Sequence, residues 1–359
     1  MKKFTMQDYI EEAPQQALYN LEHYEEITES LYSYCKDKDI DTIWLVASGS
    51  SYNSCHCAKP FMKKCMSNEI KIVTPYTFTY YEHDVKENDL VLVITQSGQS
   101  TNAIEALKKI QTLQCYSACL TGNVDNDVKN YTDRVFDYGV KEELVGYVTK
   151  GVTTLCTYFM LFAIRMSNQT NYLTDIRKAI EVNIEVKNKT YAFIDQHYKD
   201  LTSMNWSYCC GAGGCYGVTL EGALKIGETV HIPSCAYEIE EYIHGPNLQL
   251  SPKYTVFLFD GNDVASHRVE QVYLATRSVT DKAYIITNNK KFIKDDHALY
   301  VSEKVDETMT SLAYLPFVQL ISYIISRDLN SMKQHPLLKE FKKIAAAKTE
   351  SFVNYDEDE

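Results

Sequence analysis

Residues Leu90 to Ile110 read LVLVITQSGQSTNAIEALKKI. The uninterrupted apolar run Leu90–Ile94 predicts a short buried strand, Thr95–Ser100 a turn of hydroxyl and amide residues, and Thr101–Ile110 a helix. Strand, small-residue turn and helix make the unit of an α/β sheet. Small hydroxyl residues at a helix start offer backbone N–H groups, side-chain donors and the positive end of the dipole to an anion. They also cap helices with no ligand present, so one such turn leaves both readings open.

Working outward, the pattern recurs. Ile43–Ala47 (IWLVA) is a buried strand, Ser48-Gly49-Ser50-Ser51 a second hydroxyl-rich turn, and a helix follows through Cys55 to Met66. Ile70–Val73, Cys115–Thr121 and Arg134–Tyr138 add strands, and the apolar helix Val152–Met166 closes a first α/β domain. Both turns follow parallel-type strands, and ligands of open α/β sheets bind outside the carboxyl ends of such strands. Before this domain, Tyr9 to Tyr34 reads as one amphipathic helical region, a packing or oligomer-forming arm. After it, Leu173 to Asp200 reads as a charged connecting helix.

The second half repeats the scheme with strands Trp206–Cys210, Thr255–Phe259 and Ala283–Ile286, a glycine turn Gly211–Gly214, a turn Asp260–Asp263 and a final helix Thr308–Ile325. Recurrence at similar intervals implies a duplicated domain. The glycine turn could cradle an anion but lacks the full GxGxxG context, so no NAD or nucleotide is expected. The expected boundaries are a helical arm 1–36, a first domain 37–170, a connecting helix 171–200, a second domain 201–330 and a tail 331–359.

A chain of 359 residues with 45% hydrophobic content can fill two cores, and a net charge of −12 argues against nucleic acid or an anionic membrane as the main partner. No apolar run reaches ~18 residues and the N-terminus is acidic and amphipathic, so a cytoplasmic protein is expected. The 11 cysteines form no CxxC pair and read as small reduced hydrophobes. Cys55-His56-Cys57 lacks two further ligands at workable spacing, so no metal and no cofactor is expected.

The stretch Leu220–Pro246, LEGALKIGETVHIPSCAYEIEEYIHGP, carries the groups able to move protons. Glu221, Lys225 and Glu228 fall on one helical face at i, i+4 and i+7, either a solvated ion-pair stripe or a catalytic row. Beyond Pro233 come an acidic cluster, Glu238, Glu240 and Glu241, and the turn His244-Gly245-Pro246, which stops any preceding helix and can present an imidazole to a cavity.

Taken jointly, these motifs resemble the sugar isomerase (SIS) family, in particular the isomerase half of glucosamine-6-phosphate synthase, the glutamine:fructose-6-phosphate aminotransferase. MQDYIEEAP (Met6–Pro14) is similar to the start of that half, SGSSYN (Ser48–Asn53) and TQSGQS (Thr95–Ser100) to its phosphosugar loops, and LEGALK with Glu228 to its catalytic helix. His244-Gly245-Pro246 is similar to its histidine turn, and Ala347-Lys348-Thr349 to its lysine-bearing tail. The resemblance implies two tandem SIS domains, each a doubly wound, mostly parallel sheet flanked by helices. It implies that Ser50, Ser51, Thr95, Gln96, Ser97 and Ser100 hold the phosphate and hydroxyls of a hexose 6-phosphate or amino-sugar 6-phosphate. Glu228 would shuttle a proton between C1 and C2, His244 would help open the ring, and Lys348 would approach the carbonyl. In that family the histidine reaches a neighbouring subunit's site, which implies a homodimer or higher homo-oligomer with shared active sites.

The sequence shows no glutaminase domain opening on a catalytic cysteine, so release of an amine is the expected direction. A deglycase or deaminase of phosphorylated amino sugars or ketosamines fits; a plain ketose/aldose phosphate isomerase and a non-catalytic phosphosugar sensor are the alternatives. The acidic run Asp356–Glu359 extends the tail, so Lys348 could also be a solvated helix residue. Whether Glu143 and Lys150 touch substrate is left open.

Overall fold

The computed structural model describes residues 5–144 and 146–353; Met1–Phe4 and the acidic run Asp356–Glu359 lie outside the described residues. The chain divides into two compact units, one holding residues up to Leu173 together with those from Gln334 onward, the other Thr174–Lys333.

The first unit opens with helices α1 (Met6–Glu22) and α2 (Tyr24–Cys35), then runs β1 (Thr42–Val46), α3 (Gly49–Cys65), β2 (Glu69–Val73), α4 (Pro75–Tyr80), β3 (Leu90–Ile94), α5 (Thr101–Ile110), β4 (Tyr116–Thr121), β5 (Val135–Asp137) and α6 (Lys150–Ser167). Its sheet has the order β2-β1-β3-β4-β5 and every pairing is parallel. In β1 and β3 all five residues are buried, as expected where helices cover both faces and a strand reads as a continuous apolar run. The first helix starts at a capping box in which Thr5 Oγ1 accepts the Asp8 N–H at 3.3 Å and Asp8 Oδ2 accepts the Thr5 N–H at 2.8 Å. The single N-terminal helical region read from periodicity is two helices, because the backbone leaves the helical range at His23, φ −113° and ψ 29°. Both helices pack on α6.

The second unit follows from α7 (Leu173–Thr202) through β6 (Trp206–Gly211), α8 (Tyr216–Thr229), β7 (Ser234–Glu238), α9 (Ile239–Ile243), β8 (Tyr254–Phe259), α10 (Ser266–Arg277), β9 (Ala283–Thr287), β10 (Ala298–Tyr300) and α11 (Thr310–Leu329). Its sheet runs β10-β9-β8-β6-β7, again all parallel. Numbered within each unit, both sheets have the order 2-1-3-4-5, so the chain is a tandem α/β protein of two doubly wound parallel sheets. In this order the topological switch lies between the first and third strands of each sheet. The turns after β1 and β3 therefore flank one switch point, and those after β6 and β8 flank the other. Periodicity missed β7 and β10, which are sheet edges with largely half-buried residues and no apolar run. A short helix α12 (Leu338–Ile344) precedes the tail in the first unit.

The helical segment 307–329 has the length and composition to cross a bilayer, yet 94% of its most apolar window is buried within the protein, the signature of a core helix. The glycine turn after β6 is filled by its own unit. A Cβ on Gly214 would lie 1.8 Å from the Glu307 carbonyl oxygen, the Ser311 hydroxyl donates to the Gly214 carbonyl, and Ser311 Oγ accepts the Val218 N–H at 3.0 Å. These glycines permit a close backbone approach, and the anion-cradle reading of Gly211–Gly214 has no support in this packing.

Gly214→Ala is expected to destabilise the protein by about 1–3 kcal/mol in urea titration, because backbone must move to admit the methyl. Gly227→Ala, a helical site whose added methyl would meet nothing outside its own helix nearer than Ile232 O at 3.9 Å, is expected to stabilise by about 0.5–1 kcal/mol.

Candidate active site

In the first unit the two hydroxyl turns are joined. Ser48, at the N-cap of α3, makes no capping bond; its Oγ accepts from Asn102 Nδ2 in α5 at 2.9 Å. Gly49 takes φ +56° in open space, and Ser50 and Ser51 follow in the first turn of α3, buried and half-buried. Ser100, at the N-cap of α5, also makes no capping bond; its Oγ accepts from Thr95 Oγ1 at 3.3 Å. Hydroxyls at two helix starts that cap neither helix weaken the ligand-free capping reading.

The turn between them leaves donors unspent. The Thr95 N–H goes to Leu120 O at 3.0 Å, the Gly98 N–H to Thr95 O at 3.2 Å, and the Gln99 N–H to Ser97 Oγ at 3.3 Å. Among the described residues, the N–H groups of Gln96, Ser97 and Ser100 meet no protein acceptor. Unpaired N–H groups at the head of a helix form an anion site when they face a ligand. The Gln96 side chain points elsewhere, Nε2 donating to Glu143 Oε2 at 2.6 Å.

The C-terminal segment lies on this turn as a short antiparallel bridge between Ser100 and Lys348. The Thr101 N–H donates to Ala347 O at 3.1 Å and the Thr349 N–H to Gln99 O at 3.0 Å. Lys348 Nζ donates to Ser97 Oγ at 2.9 Å and to Ser100 Oγ at 3.1 Å. Burial pushes the Lys348 ammonium below the ordinary lysine range. The solvated-helix reading of this lysine therefore fails: α12 ends before it at Ile344, and its amine sits among hydroxyls.

The proton-moving groups lie in the second unit. Along α8 the side chains of Glu221 and Lys225 are 0% and 1% exposed, and Lys225 Nζ lies 3.5 Å from Glu221 Oε1 and 2.5 Å from Glu228 Oε1. A solvated stripe is excluded for two of the three. Glu228, 31% exposed, is the member that reaches toward solvent. His244 terminates α9, its side chain 70% exposed and 4.0 Å from Glu240 Oε2. The acidic cluster beside it has structural duties: Glu238 caps α9 by accepting the Glu240 N–H at 2.7 Å, and Glu240 pairs with Arg268 Nε at 2.5 Å. Among the described residues no hydrogen bond or ion pair joins Glu228 to His244. Thr95, Ser97, Ser100 and Lys348 are thus brought together, Ser48 links the Ser50–Ser51 turn to α5, and Glu228 and His244 make separate contacts. Of the two charged groups the sequence leaves open, Lys225 is signalled only by its i+4 spacing on α8 and Glu143 by no pattern of its own.

Residues 38–165 match the family model described as SIS domain. The chain is 23% identical over 299 residues to the isomerizing glutamine–fructose-6-phosphate aminotransferase of Idiomarina loihiensis, covering 80% of this chain and 49% of that protein. It therefore spans about half the length of the curated relatives it matches. Among solved structures it is similar to a candidate phosphosugar isomerase from Clostridium difficile 630, with TM-score 0.85 and 22% identity over 96% of this chain and 99% of the other. It is also similar to the C-terminal domain of glucosamine-fructose-6-phosphate aminotransferase from Francisella tularensis, with TM-score 0.79 and 19% identity over 93% and 99%.

Replacing Lys225 by Met is expected to cost on the order of 3 kcal/mol in urea titration, because the buried Glu221 carboxylate loses its cation. A loss under about 0.5 kcal/mol, the range of exposed pairs, would contradict this account of the α8 row. With the fold, the hydroxyl turns and the family match together, the chain carries a SIS domain in residues 38–165 and resembles, over most of its length, the isomerase half of glutamine–fructose-6-phosphate aminotransferases.

Proposed function

We propose that the protein acts on a 6-phosphorylated amino sugar or ketosamine by aldose–ketose chemistry: proton transfer through an enolamine or enediol gives an imine, and addition of water to that imine frees the amine and leaves a hexose phosphate. The observation that carries the reading is the β3–α5 turn, where three unpaired N–H groups and the hydroxyls of Ser97 and Ser100 share one place with the Lys348 amine. N–H groups and hydroxyls suit a phosphate, and an amine whose ammonium form is disfavoured by burial suits a sugar carbonyl.

On this reading Ser50, Ser51, Thr95, Gln96, Ser97 and Ser100 hold the phosphate and hydroxyls. Glu228 takes a proton from one carbon and returns it to its neighbour, serving as base and then as acid. His244, exposed at the end of α9, assists ring opening, in keeping with a homodimer in which it serves a second copy's site. Lys348 meets the carbonyl. The protein would work in the cytoplasm without a metal or cofactor.

Incubation with glucosamine 6-phosphate and with fructoselysine 6-phosphate, followed by amine and sugar-phosphate assays, is expected to show turnover of at least one. Turnover of neither, with activity on a plain ketose phosphate, would replace this reading by simple isomerisation. Glu228→Gln, which keeps the shape and removes the base, is expected to lower the rate on the order of a hundredfold or more. His244→Ala is expected to cost less on a substrate that is already open-chain.

A further inference from the structure

The carboxylate of Glu143 is used to capacity by the protein itself. Its Oε1 accepts the N–H groups of Thr149 at 2.8 Å and Lys150 at 2.7 Å, and its Oε2 accepts the Gly151 N–H at 2.9 Å and Gln96 Nε2 at 2.6 Å. A carboxylate has about four acceptor positions, so none is left for a ligand. Three of the four bonds gather the first N–H groups of α6, which otherwise lack intrahelical partners. The fourth binds that helix start to the β3–α5 turn.

The other end of the Gln96 amide is also enclosed. Its Oε1 is buried without a hydrogen-bond partner, and a Cβ on Gly151 would lie 1.9 Å from it. The amide is therefore clamped between a carboxylate and a glycine. Its backbone, by contrast, keeps a free N–H, while its carbonyl accepts the Gly122 N–H at 3.0 Å and Thr121 Oγ1 at 3.2 Å.

We infer that Glu143 is a positioning residue of the sugar-phosphate site: by holding the Gln96 amide it fixes the turn so that Gln96 serves the ligand through its main-chain N–H, and Gly151 is the space the clamp requires. The inference rests on the phosphosugar reading of the Thr95–Ser100 turn and goes beyond it by separating the residue that binds from the residue that holds it.

A double-mutant cycle on the full chain tests it, with dissociation constants for glucosamine 6-phosphate and fructose 6-phosphate measured by calorimetry. Glu143→Gln is expected to weaken binding about tenfold in the wild-type background and less than twofold in the Gln96→Ala background, since contacting residues couple and independent ones add. Gly151→Ala approaches the same amide from the other side and guards against a cap variant that fails to fold. Alanine favours a helix over glycine, and with Gln96→Ala the near contact that remains is the Val148 Cγ1 methyl at 3.0 Å, a side-chain end that need give only a few tenths of an ångström, so the melting temperature should hold. Alone, it should weaken sugar-phosphate binding while Glu143 is intact. Equal losses in both backgrounds overturn the inference and leave the phosphosugar site standing. Wild-type protein that binds neither sugar phosphate overturns both.

Discussion

The first unit depends on how the backbone groups are satisfied where β3 ends. A strand buried on both faces spends its amides within the sheet, and a helix of ten residues beginning after a six-residue turn must find partners for its first N–H groups. Side-chain caps would be the local solution, and Ser100 is a residue type that provides them. Its hydroxyl instead accepts from Thr95 and Lys348, and the Thr101 N–H is met by the Ala347 carbonyl. The start of α5 is consequently completed by the far end of the chain. Whatever displaces or orders that segment alters the Ser97 and Ser100 hydroxyls, so on the phosphosugar reading tail docking and ligand binding would be chemically linked.

The two sheets share one strand order and use their switch points differently. After β1 and β3 the turns carry hydroxyls and keep N–H groups open. After β6 the turn is closed by the Glu307 carbonyl and by Ser311, and after β8 Asp260 accepts from the Asn262 N–H at 2.8 Å and from Thr287 Oγ1 at 2.6 Å. A buried carboxylate whose oxygens are taken by local donors stiffens a turn and repels a phosphate. The second switch point therefore supports α8, whose opposite end carries Lys225 and Glu228. The scaffold occurs twice, with N–H groups left unpaired at one switch point and the other filled by its own unit.

What the sequence made legible follows from burial. β1, β3, β8 and β9 were readable because a strand covered on both faces is an unbroken apolar run. The edge strands β7 and β10 were not, because half-buried residues such as Ser234 and Tyr237 impose no such run. The break at His23 was invisible to helical periodicity, which continues in phase across it. For the candidate site, the hydroxyl turns were visible as composition, whereas the docking of Lys348 on Ser97 and Ser100 joins residues about 250 positions apart and could be suggested only by resemblance. The burial of Lys225 was equally hidden, since i, i+4 spacing describes an exposed stripe and a buried row alike.

That row constrains how Glu228 can act. Lys225 holds Glu228 through Oε1, and among the described residues Oε2 accepts no hydrogen bond. Lys225 is shared with Glu221, a carboxylate with no exposed surface, so its ammonium is divided between the two carboxylates. On the proposed chemistry the division is useful: one oxygen is fixed in direction by the ammonium, the other is left to receive and return a proton. A lone glutamate on the same helix face would keep the second oxygen and lose the orientation. On that chemistry the buried pair beneath Glu228 would serve alignment more than stability, since replacing buried ion pairs with apolar residues often stabilises a fold.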